Sequence, residues 1–160
     1  MLKMLLPLAA LAVAACTDMM PDMSARSIYV MRHLNTPAGV NDPDLTAQGQ
    51  ANAERVATWF AGRKIDVLIV SNTKRAQQSA APLAAAKGLT PILYDPRKSA
   101  VPLAQVRATA GELVVVGHSN TVPDIIEQLG GDRPADIPHE QFGDIWQIKG
   151  GKTVRHRIGE

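Results

Sequence analysis

Three times along this chain an apolar run of strand length stops abruptly at a side chain that can carry positive charge. Residues 28–31 open into Arg32-His33, residues 67–70 into Ser71-Asn72-Thr73-Lys74-Arg75, and residues 113–116 into Gly117-His118-Ser119-Asn120. Their length and their content of Val, Ile and Leu are those of strands buried on both faces. If the three strands run parallel, their carboxyl ends share one sheet edge, which is where α/β proteins place ligands. Two arginines and two histidines then converge there.

The stretches between these runs read as helices. Leu45, Gly49, Ala53, Val56 and Phe60 recur at three and four residues, which predicts an amphipathic helix over 46–63 with Thr46 as its N-cap. Gly49 lies on that stripe, where a missing side chain permits close approach. Ala76, Ala80, Leu83 and Ala84 predict a second helix over 73–87, stopped by Gly88. A weaker strand at 90–94 precedes Asp95-Pro96, and a short helix is expected near 101–110. Val122, Ile125, Ile126 and Leu129 mark another at 121–129, with Pro123 in its first turn. After an irregular crossing at 132–140, residues 143–148 and 153–158 read as a terminal pair joined through Gly150-Gly151. Strands alternating with helices predict an α/β protein, a three-layer α/β/α sandwich with a mostly parallel central sheet.

A length of 160 residues suits one domain, and with two Trp, two Tyr and two Phe the core must be mainly aliphatic. The formal charge of +2 gives no electrostatic footprint for nucleic acid. Residues 1–15 read as a signal peptide: Lys3 supplies the positive start, and the apolar stretch is too short to span a bilayer. The stretch ends in Val13-Ala14-Ala15-Cys16, which resembles a bacterial lipobox. The only cysteine, Cys16, is therefore expected to be lipidated, with 16–26 as lipidated terminus and tether and 27–160 as the folded domain. This places the protein in the bacterial cell envelope, held on a membrane through its N-terminal lipid and facing the periplasm or exterior.

Converging guanidiniums favour a phosphate or carboxylate ligand, because each offers two parallel donors. Of the four groups only a histidine can be a nucleophile, since arginine keeps its proton. His33, beside Arg32, is assigned the attack on phosphorus, and neighbouring cations should keep its ring neutral. His118, Arg32 and Arg75 would stabilise charge on the transferring oxygens. Asn35, Thr36, Ser71 and Asn120 could add amide or hydroxyl donors to the substrate. Asp42 and Asp44 read as turn residues, His139 and His156 as surface residues, and Trp59 and Trp146 as packing. No carboxylate and histidine cluster has metal-ligand spacing, so neither metal nor cofactor is expected.

Arg32-His33 after the first strand, Leu45-Thr46 followed by Gly49, Ser71 before Arg75, Arg75-Ala76 followed by Gln78-Ser79-Ala80, and Gly117-His118-Ser119-Asn120 together resemble the histidine phosphatase superfamily, with its phosphoglycerate-mutase-like fold. The resemblance runs from about 28 to 148. It implies metal-independent phosphoryl transfer through a phosphohistidine, with a small phosphorylated molecule or a phosphoprotein as substrate. Leu34 stands where that family's first motif usually has glycine, and Ser79 where threonine is common. Asp95, just past the 90–94 strand, resembles the acid that many of these enzymes carry, and so is the candidate proton donor. Only 42 residues lie between Arg75 and His118, too few for the insertion that caps substrates in the mutases. A compact phosphatase is therefore the expectation. A lipid-anchored phosphate-binding protein without turnover, and a mutase-like phosphotransferase, remain the alternatives.

Overall fold

The computed structural model describes residues 25–98 and 100–158, so the leader, Cys16 and the tether up to residue 24 lie outside the described residues. The elements follow in the order β1 (Ile28–Arg32), α1 (Ala47–Trp59), β2 (Val67–Ser71), α2 (Lys74–Lys87), β3 (Ile92–Tyr94), α3 (Ala100–Ala108), β4 (Leu113–Gly117), α4 (Val122–Gln128), β5 (Asp144–Lys149) and β6 (Lys152–Arg157). The six strands form one sheet in the order β3-β2-β4-β1-β5-β6. The first four are parallel, while β5 pairs antiparallel with both β1 and β6. This is the mostly parallel sandwich expected from the alternation of elements.

The central strands β1 and β4 are buried on both faces, and their side chains alternate between two cores. Tyr29, Met31, Val114 and Val116 join Val56, Phe60, Ala80 and Leu83 under α1 and α2. Ile28, Val30, Leu113 and Val115 join Leu103, Val106, Ile125 and Ile126 under α3 and α4. The aromatics are used for packing: the Tyr29 and Phe60 rings meet edge to face at 5.0 Å, and Trp146 is buried in the second core.

Local signals set the helix ends. The Thr46 side chain accepts from the Gly49 N–H, as an N-cap should. A Cβ at Gly49 would collide with the Asn35 carbonyl, so the stripe's missing side chain admits the site loop itself. Gly150 and Gly151, with φ of 57° and 73°, form the tight turn of the β5–β6 hairpin. One boundary moves: Arg26, expected in the tether, is buried, and its guanidinium donates to the carbonyls of Val106 and Thr109. The ordered domain therefore takes in Arg26. A charged side chain this close to the sheet is driven inward because helix α3 ends there with carbonyls to satisfy.

Candidate active site

β1, β2 and β4 end together, as their parallel registers require: Arg32 lies beside Gly117, and Val70 beside Val116. The turn is tight, because the His33 N–H donates to the Gly117 carbonyl at 2.9 Å. His33 and His118 follow directly, with ring centroids 5.3 Å apart. Arg75 enters from the first turn of α2. Together with Arg32 these side chains line a cleft of about 280 Å³, whose remaining walls come from the loop between β1 and α1, from Ser119 and Asn120, and from His139.

His33 is 5% exposed, and its Nδ1 lies 2.8 Å from the Leu34 carbonyl. A carbonyl can only accept, so Nδ1 carries the proton and Nε2 keeps the lone pair. Burial pushes the imidazole down to about 3; the Leu34 carbonyl opposes this, while the charges of Arg32, His118 and Arg75 add to it. His118 is lowered to about 4, by burial first and then by Arg75 and Arg32, with Asp42 acting the other way. Arg75 Nη2 donates toward His118 Nδ1 at 3.3 Å, which leaves His118 Nε2–H to donate to Ser71 Oγ at 2.8 Å. Both rings are therefore neutral.

Leu34 turns its side chain into the core under α1 and α2, fully buried, and so does not obstruct the cleft. Its N–H donates to Ser79 Oγ at 2.8 Å, and that hydroxyl donates to the Arg75 carbonyl at 2.7 Å. Ser79 thus ties the loop that carries His33 to the turn that presents Arg75.

Of the residues proposed for substrate binding, Thr36 and Asn120 line the cleft, whereas Asn35 and Ser71 do not. Asn35 accepts from Asn52 Nδ2 at 2.9 Å and from the Thr46 N–H, so it anchors α1. Ser71 is fully buried behind His118 and orients that ring. Asp95 does not line the cleft either. Its carboxylate is gripped by the Arg97 guanidinium at 2.8 and 2.9 Å and by the Arg97 N–H, which together hold it down at about 2. The proton-donor role expected for Asp95 therefore finds no geometric support: a local i,i+2 pairing has captured the side chain.

Three participants, Phe142, His139 and Asp42, lie beyond what the sequence signalled. Arg32 is 3% exposed, and its Nη1 donates to the carbonyls of Pro138, His139 and Gln141 at 2.9 to 3.0 Å. Its Cζ lies 4.1 Å over the Phe142 ring, which also flanks His33. Burial and the Arg75 charge lower Arg32 to about 10, against Glu140, so it stays charged. His139, read from sequence as a surface residue, is exposed but stands at the cleft, with Nδ1 3.4 Å from Arg32 Nη2. Asp42 is the third, and its carboxylate meets Arg75 Nη1 at 3.1 Å. No local pattern could reveal the contacts of Arg32, because more than 100 residues separate the partners.

Comparison with known proteins agrees with this geometry. The family described as the histidine phosphatase superfamily (branch 1) matches residues 28–99. No curated protein sequence matches the chain. Among solved structures, the protein histidine phosphatase SixA complexed with tungstate aligns with TM-score 0.60 at 18% identity, over 81% of this chain and 94% of that one. A mycobacterial glucosyl-3-phosphoglycerate phosphatase in complex with VO3 aligns with TM-score 0.65 at 13% identity, over 84% and 98%. A phosphoserine phosphatase from Entamoeba histolytica in complex with 3-phosphoglyceric acid gives 0.62 at 16%, over 85% and 98%. The fold is thus phosphoglycerate-mutase-like, and residues 28–99 are similar to the histidine phosphatase superfamily (branch 1).

Proposed function

We propose that this protein is a metal-independent phosphatase that hydrolyses phosphomonoesters or phosphohistidine through a covalent phosphohistidine on His33. One observation carries the reading: the Leu34 carbonyl holds the proton on Nδ1, so the nucleophilic Nε2 belongs to a residue lining a cleft with two guanidiniums. Nε2 attacks phosphorus, the N–P bond forms as the bond to the leaving oxygen or nitrogen breaks, and Arg32 and Arg75 hold the non-bridging oxygens. The arriving dianion favours a proton on His118 Nδ1, which then donates to the same oxygens while Nε2–H stays on Ser71. Water next attacks the phosphohistidine, releasing phosphate and restoring neutral His33. The aligned relatives are described as phosphatases, and two of them hold tungstate or VO3, which supports an oxyanion site here.

Brief incubation with labelled substrate, followed by denaturation, should trap an acid-labile, base-stable adduct that is absent from His33→Ala. A burst below one equivalent with no steady-state release would favour a binding protein without turnover. With the Asp95 carboxylate held by Arg97, aryl phosphates should turn over faster than alkyl phosphates, because their leaving group departs unprotonated. We further propose that Cys16 is lipidated and holds the domain to a cell-envelope membrane; Cys16→Ser should then release it to the soluble fraction.

A further inference from the structure

Asp42 read as part of a turn, yet it is the one non-glycine residue with positive φ among the described residues, at 44°. Such a backbone costs energy and persists only where its surroundings require it. Its carboxylate accepts from the Lys74 N–H at 3.0 Å, at the head of α2, where the side chain of the N-cap Thr73 makes no capping bond. Asp42 thus caps that helix from the loop between β1 and α1. The same Oδ1 takes Arg75 Nη1 at 3.1 Å, while Arg75 Nη2 reaches His118. The guanidinium is held from both ends.

The charge around this pair is one-sided. Apart from Arg32 and Arg75, no Lys or Arg lines the cleft, and Asp42 is its only carboxylate among the described residues. Arg133 lies in the next depression beyond Ser119 and Asn120, where it is paired with Asp124, Asp136 and Glu127. Lys74 Nζ is paired with Asp44. Both arginines of the cleft are needed for the transferred phosphoryl group. Among the described residues no further Lys or Arg lines the cleft to meet a second anion on the leaving group.

Building on the phosphatase reading, we propose that Asp42 is a specificity-determining residue: it aims Arg75 at the phosphoryl group and disfavours leaving groups that carry a second negative charge. The substrate class is then a phosphomonoester or phosphoramidate with a neutral or cationic leaving group. Phosphoethanolamine, glycerol phosphate and 3-phosphoglycerate present a cationic, a neutral and an anionic leaving group. In the wild-type protein kcat/KM should fall in that order, with a gap on the order of tenfold or more between the ends. Asp42→Asn keeps an oxygen for the Lys74 N–H and tolerates positive φ. It should lower turnover of all three substrates yet shrink the gap to about two- or threefold, mainly through KM, with an unchanged melting temperature. A wild-type preference for 3-phosphoglycerate, or an undiminished gap in Asp42→Asn, overturns the proposal. If neither the three nor an aryl phosphate nor phosphohistidine turns over while tungstate still binds, the phosphatase reading fails instead. Displacement of tungstate by the same three compounds, in both proteins, then decides the role of Asp42.

Discussion

Arg32 and Arg75 bring the same charge into the cleft under different constraints. Arg32 is sealed among three carbonyls and a phenyl ring, whereas Arg75 is held by Asp42 and His118 near solvent. Either change to alanine should cost on the order of 10²-fold or more in turnover, through lost charge-assisted contacts. Only Arg32→Ala should also lower the melting temperature, by roughly 5–10 °C, since it removes the buried guanidinium that ties the 138–141 carbonyls to β1. Calorimetry on both variants checks the distinction. The two histidines make stability depend on pH. Their folded values, about 3 and about 4, lie below the unfolded value near 6.5, so the unfolded chain binds more protons between these limits. Stability from keeping the rings neutral is full above pH 6.5 and is lost as pH falls through that window. A His33→Gln/His118→Gln protein should show a flatter profile than wild type over pH 6.5 to 4 in denaturant titrations.

At the scale of elements, the terminal hairpin and the cleft are one construction. Asp144, buried at the start of β5, accepts from Arg155 and Arg157 on β6 and from Gln141, whose carbonyl in turn receives Arg32. The two arginines are about half exposed, so Arg155→Ala should cost less than about 1 kcal/mol. Asp144→Ala strips a buried acceptor from several donors, and should cost about 3 kcal/mol and lower turnover through the loosened 138–141 segment. Paired stability and kinetic measurements on these variants read out that coupling. Helix α1 meets the site loop with equal closeness at Gly49, where the Asn35 carbonyl occupies the space of a Cβ. Gly49→Ala should therefore cost about 1–3 kcal/mol although alanine is the better helix former, because the clash outweighs the propensity gain of about 1 kcal/mol.

At the scale of the molecule, β1 sets the orientation. The chain enters at Ile28 and delivers Arg32 and His33 at the other end, about 17 Å away along five residues of strand. If Cys16 anchors the protein, Cys16→Ser should change location without changing kcat; fractionation and kinetics on one preparation test both. Chelator should leave activity intact, because arginine supplies the charge at the site. The sheet and its three site-bearing strand ends were legible in the sequence, since apolar runs, caps and glycine stops are local signals that act within a few residues. Arg32, His33 and His118 could be named for the same reason, each being the first or second polar side chain past such a run, and Arg75 because it closes the polar stretch that follows the second run. What only the tertiary structure decided lies in contacts across many residues: Arg32 with the 138–141 carbonyls, Asp42 with the head of α2, His139 at the cleft, and Ser71 behind His118. Those depend on strand register and loop paths, and many side chains of the right chemistry compete for the same partner until packing chooses among them.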